Sequence, residues 1–138
     1  MDFKKLAASG LVSAAIIFVV SWAVDFIVRG IPSLSYNVLS LGGMRSINDP
    51  VMVLFFLQPL VLGFAFAIAY SVLGKALKGN ALHKGKKFGF IVWLVAGLPS
   101  FWITFSSMDY PLGFHISSLV SPLVYFVLAG IAVAKLNT

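Results

Sequence analysis

The sequence predicts an all-α protein: a four-helix transmembrane bundle, up-down-up-down, with both termini cytoplasmic. Three observations carry that reading. The chain is 60% hydrophobic and only 10% charged, with a mean hydropathy of +1.02, far from soluble usage. Its apolar residues fall into four runs, each close to the ~20 residues a helix needs to cross the hydrocarbon core. Between the second and third runs lies GKALKGNALHKGKK, residues 74–87, with five lysines and no acidic residue. That is the composition of a loop retained on the cytoplasmic face.

In order, the 138 residues read as one membrane domain, 1–138, with spans at about 6–28, 51–73, 88–107 and 117–134. A signal peptide is the rival reading of the first span, with Leu11 to Val20 as its apolar part and Ser21-Trp22-Ala23 as a small-x-small cleavage site. Its removal would leave three spans with the basic loop still requiring the cytoplasm, so a retained span is expected. The outer loop 29–50 is broken by Pro32, Gly42-Gly43, Asn48 and Asp49. Its apolar residues Leu34, Tyr36, Val38, Leu39 and Leu41 predict that part of it rests on the interface or folds back over the bundle mouth. Gln58-Pro59 interrupts the second span, Gly97 and Pro99 the third, and Pro122 the fourth. A short outer turn, 108–116, carries Asp109, Pro111, Gly113 and His115.

Charge tests this order. Eight lysines (Lys4, Lys5, the five of the basic loop, and Lys135) fall on one side, and Arg29 and Arg45 on the other. A net charge of +6 placed in loops points to anionic lipid head groups rather than nucleic acid, since each juxtamembrane Lys gains on the order of 1 kcal/mol near such a surface. Lys75, Lys78, Lys84, Lys86 and Lys87 are therefore the candidate head-group residues. With no cysteine, disulfides, thiolate metal sites and palmitoylation are all excluded.

Helices in lipid associate through small residues and a few polar contacts. Helical spacing aligns Gly10, Ala14, Ser21 and Asp25 on the first span, and Gln58, Ala65 and Ala69 on the second. On the third it aligns Trp93, Gly97, Ser100, Thr104 and Ser107; on the fourth, Ser118, Ser121, Tyr125, Ala129 and Ala132. The polar members gather in the outer half. Asp25, Gln58, Ser100, Thr104, His115, Ser118 and Ser121 are thus the candidate ligand-binding region, against the plainer reading that these groups satisfy one another and the proline-loosened backbones. Asp25 also has Arg29 at i+4 as a local partner.

Known motifs fail on spacing. Gly79 to Lys87 has five residues, not four, before Gly85-Lys86, and Lys87 replaces the Ser or Thr a phosphate loop needs. His83 and His115 are expected on opposite sides of the bilayer and share no metal; no metal site and no cofactor are predicted. Ser117 and Ser118 adjoin His115 in sequence, but neighbouring side chains point apart, so no catalytic residue is assigned. An enzyme is unsupported rather than excluded.

The stretch KGKKFGFIVWLVAGLP, Lys84 to Pro99, with its basic approach, Phe-Gly pair and Trp-containing span ending near Gly-x-Pro, resembles a family of small uncharacterised prokaryotic four-span integral membrane proteins. The resemblance implies a multi-pass protein of a prokaryotic cell membrane and no particular activity. Three functions remain in play. The first is binding of a lipid or small amphiphile in the outer half of the bundle. The second is a subunit of an oligomeric small-molecule transporter or channel. The third is an intramembrane enzyme using Asp25, Asp109 or His115. Expected partners are membrane lipids and, for transport, further copies of the chain as a homo-oligomer; nucleic acid is not among them.

Overall fold

The computed structural model describes residues 1–138. The chain is 80% helical without strands, and four of its helical stretches are long and apolar enough to cross a membrane: Phe3–Arg29, Met52–Ala76, Ala81–Ser107 and Leu112–Leu136.

Helix α1 spans Phe3–Arg29. It starts before residue 6 because the Asp2 carboxylate accepts the Lys5 backbone N–H at 2.8 Å, satisfying one of the donors a helix start leaves open. After Gly30 the chain makes two 3-10 turns, Pro32–Leu34 and Val38–Ser40, and lies as a strap over one end of the bundle. Helix α2, Met52–Leu73, follows.

The stretch 74–87 is not one loop. A 3-10 turn covers Gly74–Ala76, and helix α3 already begins at Ala81 and runs to Val92. Asn80 is its cap, accepting from the His83 N–H at 2.9 Å. Lys84, Lys86 and Lys87 are therefore helical, as lysine's good helix propensity allows, and the third helix begins seven residues before position 88. Pro99 lacks an N–H and its ring crowds the carbonyl a turn earlier. The helix absorbs this as a π turn at Trp93–Gly97 before continuing as α4, Leu98–Ser107. Helix α5 spans Leu112–Leu136, so the outer turn shrinks to 108–111. Pro111, with φ of −55°, presets the chain for the helix, and its carbonyl accepts from Phe114 and His115.

Helix α5 is the centre of the bundle, packed against α1 on one side and α3 on the other, while α2 packs on α1. The closest approaches occur at glycines. A Cβ on Gly63 of α2 would sit 2.5 Å from the Ala14 nitrogen of α1, and one on Gly89 of α3 would sit 2.6 Å from the Phe126 carbonyl carbon of α5. Gly85 and Gly130 face each other across the same α3–α5 crossing. Such contact replaces the hydrophobic drive that lipid cannot supply.

A cluster of Phe66, Tyr70, Phe88 and Phe126 joins α2 to α3 and α5, with Phe66–Phe88 centroids 4.9 Å apart and Phe66–Phe126 stacked at 5.5 Å. Ile17, Ala129 and Val133 complete the core. The seam stripes agree with the helical-spacing expectation best on α5, where Ser121, Tyr125 and Ala129 are buried. On α2 they do not: Gln58 and Ala65 are exposed, and the seam is Met52, Gly63, Phe66, Ala67 and Tyr70. Gly63 sets how α2 meets α1, and the polar residues follow from that.

Asp2, the cap of α1, Lys5 of α1, Tyr70 and Ser71 of α2, Lys84 of α3 and Asn137 beyond α5 surround one hollow at one end of the bundle. The Asn137 amide donates to Ser9 Oγ at 3.0 Å there. Successive long helices thus run in opposite directions. All eight lysines collect at this lysine end, and Arg29, Arg45 and the strap lie at the other.

Candidate functional site

At the strap end, Gly113 on the first turn of α5 lets the loop backbone rest directly on the helix. A Cβ there would collide with the Leu34 carbonyl, lying 2.8 Å from its carbon and 3.0 Å from the Tyr36 ring. Tyr36 packs edge-on against Phe114, centroids 5.9 Å apart, and donates its hydroxyl to the Asp25 carboxylate. The other Asp25 oxygen pairs with Arg29 Nε at 2.8 Å. Ser117 is buried beside the same phenol, its Oγ without a hydrogen-bond partner. Tyr110 fastens the far end of the strap by donating to the Gly42 carbonyl at 3.3 Å.

Burial pushes the Tyr36 phenol up from 10.0 to about 12, and the hydrogen bond to Asp25 adds to the rise. The phenol therefore stays protonated and donating. With both oxygens engaged, Asp25 works as the clip of the strap and offers no free carboxylate for proton transfer.

The other candidates of the outer half are placed as follows. His115 is 95% buried, at 5% exposure, among Phe105, Tyr110 and Phe114, and its Nδ1 has no partner. Ser118 donates to the His115 carbonyl at 2.9 Å, and Ser121 is buried on the inner face of α5. Thr104 donates to the Ser100 carbonyl at 2.9 Å, within its own helix. Gln58 on α2 and Ser100 on α4 are exposed. The fold thus gathers Asp25 under the strap with Tyr36 and Ser117, keeps His115, Ser118 and Ser121 on α5, and leaves Gln58 and Ser100 outside any shared region. Gln58 lies six residues from the α2 start, about 9 Å along the axis. No three His, Asp or Glu side chains converge to hold a metal. Tyr36 and Ser117 were not legible as partners of Asp25, because no spacing rule joins a loop tyrosine to a helix eleven residues back.

The lysine end is different in kind. Its hollow of about 350 Å³ is lined by Lys5, Lys75 and Lys84 together with Tyr70, Ser71 and Asn137. The one acidic side chain at its rim is Asp2, whose carboxylate caps α1. Of the five lysines marked as head-group candidates, Lys75 and Lys84 face this space. Lys78, Lys86 and Lys87 are exposed away from it. Lys5 joins from α1, a convergence that only the antiparallel packing produces. The arrangement is suited to a phosphate, which lysine binds as a point charge.

Comparisons with protein families, with curated proteins and with solved structures return no match for this chain. What the fold itself defines is a class: an all-helical chain with four helices able to cross a bilayer, the make-up of a multi-pass membrane protein.

Proposed function

We propose that this multi-pass protein seats the anionic head group of a membrane lipid in the hollow at its lysine end. In this reading the lysine end and both termini face the cytoplasm of a prokaryotic cell, as the positive-inside bias and the resemblance of Lys84–Pro99 imply. The observation that carries the proposal is the meeting of Lys5, Lys75 and Lys84 around one polar space whose single acidic side chain, Asp2, caps helix α1 at the rim. Three lysines against one carboxylate leave an excess of two positive charges, and at on the order of 1 kcal/mol each these favour an anionic over a zwitterionic lipid by about 30-fold at low ionic strength. Binding in the outer half draws less support, since Gln58 and Ser100 are exposed and Asp25 is already paired.

The purified protein, titrated with phosphatidylglycerol and with phosphatidylcholine and read by native mass spectrometry, tests this. The variant Lys5→Gln/Lys75→Gln/Lys84→Gln should lose most of the preference for phosphatidylglycerol. The charge-matched Lys78→Gln/Lys86→Gln/Lys87→Gln variant should lose far less, because its lysines lie outside the hollow. Equal losses in both would reduce the hollow to a diffuse field. A saturable nucleotide affinity that survives high salt and disappears in the first variant would replace the lipid reading altogether.

A further inference from the structure

The outer surface of α1 and α5 carries a second recess that shares no residue with the lysine hollow. It is an open groove of about 540 Å³, within the roughly 300–1,000 Å³ typical of ligand pockets. Ile16, Val20 and Ile131 are half-buried and form its floor; Val19 and Leu128 stand exposed as its rims. Ala15 and Ala132 leave the width between the rims open. Beneath the floor, Ile17, Ala129 and Val133 are at most 1% exposed, so the groove is a fixed furrow between two packed helices and does not lead into the bundle. Its one charged lining residue is Lys135, at the lysine end. From Leu128 to Lys135 the helix rises about 10 Å, so an apolar trough within one leaflet ends on a cation at its surface.

We infer that this groove holds one acyl chain of an anionic phospholipid whose phosphate is met by Lys135. Charge decides between this occupant and a second copy of the chain. Copies inserted with the same topology and packed about a two-fold axis would bring Lys135 against its own counterpart at the end where every lysine of each chain is gathered. A phospholipid places a negative group there and fills the trough with hydrocarbon. The retained lipid differs from the exchanging lipid around the protein by being held between two rims and one charge.

The test is native mass spectrometry of detergent-purified, delipidated protein titrated with dioleoylphosphatidylglycerol or dioleoylphosphatidylcholine. The wild type should bind two lipids per chain, one in the hollow and one in the groove, and prefer phosphatidylglycerol at both. Ala15→Phe fills the groove from an exposed position, and should weaken binding of one of the two lipids at least tenfold, with either head group, while leaving the other in the hollow. Lys135→Gln should keep retention while lowering the preference for phosphatidylglycerol about fivefold, the equivalent of roughly 1 kcal/mol. Unaltered retention in Ala15→Phe would overturn the inference. If Ala15→Phe keeps both lipids while Lys5→Gln/Lys75→Gln/Lys84→Gln loses one, only the hollow holds lipid: the groove inference fails and the head-group proposal stands. The chain has no cysteine, so Val19→Cys oxidised in phosphatidylglycerol vesicles reports a second copy directly, and near-complete disulfide-linked dimer would also overturn the inference.

Discussion

Alanine at Gly89 is expected to destabilise the bundle by about 3 kcal/mol, the upper part of the range for overpacking a tight core. The new Cβ would lie 2.6 Å from both the Phe126 carbonyl carbon and the Val127 Cα. These are backbone atoms of a helix, which cannot turn aside as a side-chain tip can. Relief requires α3 to move away from α5, and with it the contacts of Phe88 with Phe66 and Tyr70. Gly85→Ala should act similarly, since its Cβ would meet the Gly130 oxygen at 2.6 Å. The double variant should cost less than the sum, because separation of one helix pair relieves both clashes. Gly42→Ala, where nothing lies within 4 Å, should be near neutral. Unfolding of micelle-bound protein by denaturing detergent, followed by tryptophan fluorescence, measures all four. Equal stability of Gly89→Ala and Gly42→Ala would refute the α3–α5 contact.

Valine at Gly113 is expected to lift the strap from α5, since the side chain would occupy the position of the Leu34 carbonyl. Undocking breaks the Tyr36 hydrogen bond to the Asp25 carboxylate, a charge-assisted contact of the kind that contributes about 1.5–3 kcal/mol. Tryptic cleavage after Arg45, an exposed strap residue, follows the population of the opened strap. It should rise by one to two orders of magnitude, with the four helices intact. No change in cleavage would show that the strap does not rest on Gly113.

The same docking carries a pH dependence of defined sign. The Tyr36 pKa is raised in the folded state from 10.0 to about 12, so the fold favours the protonated phenol. Its contribution is fully present below pH 10.0 and is lost as the pH rises through about 12. The tyrosinate absorbance removed by Tyr36→Phe should therefore titrate near 12, and a midpoint near the ordinary value would contradict the clip.

Much of the architecture was legible because lipid imposes simple rules: four long apolar runs and lysines confined to the polar stretches. The start of α3 was hidden for a physical reason. Lys84, Lys86 and Lys87 look like loop residues by polarity, yet a helix emerging from a bilayer tolerates them in its first turns, with Asn80 as cap. Reading that stretch as a loop also concealed the four-residue spacing of Gly85 and Gly89, a known signature of close helix contact. At the strap end, Asp25 was legible as a helix-end carboxylate paired with Arg29. Its second partner, Tyr36, depends on the path of a loop pinned by Gly113, and no local pattern encodes that path. Gln58 and Ser100 were grouped by depth, but depth does not say which way a side chain faces; the seam at Gly63 turned Gln58 outward.

The orientation of the bundle is the central claim, since the head-group proposal places the lysine hollow against the cytoplasmic leaflet. Single cysteines at position 45, in the strap, and at position 84, in the hollow, can be introduced into this cysteine-free chain. Intact cells are then treated with a membrane-impermeant maleimide. Labelling of Arg45→Cys in intact cells, and of Lys84→Cys only after permeabilisation, is the predicted result; labelling of Lys84→Cys but not Arg45→Cys in intact cells would contradict it.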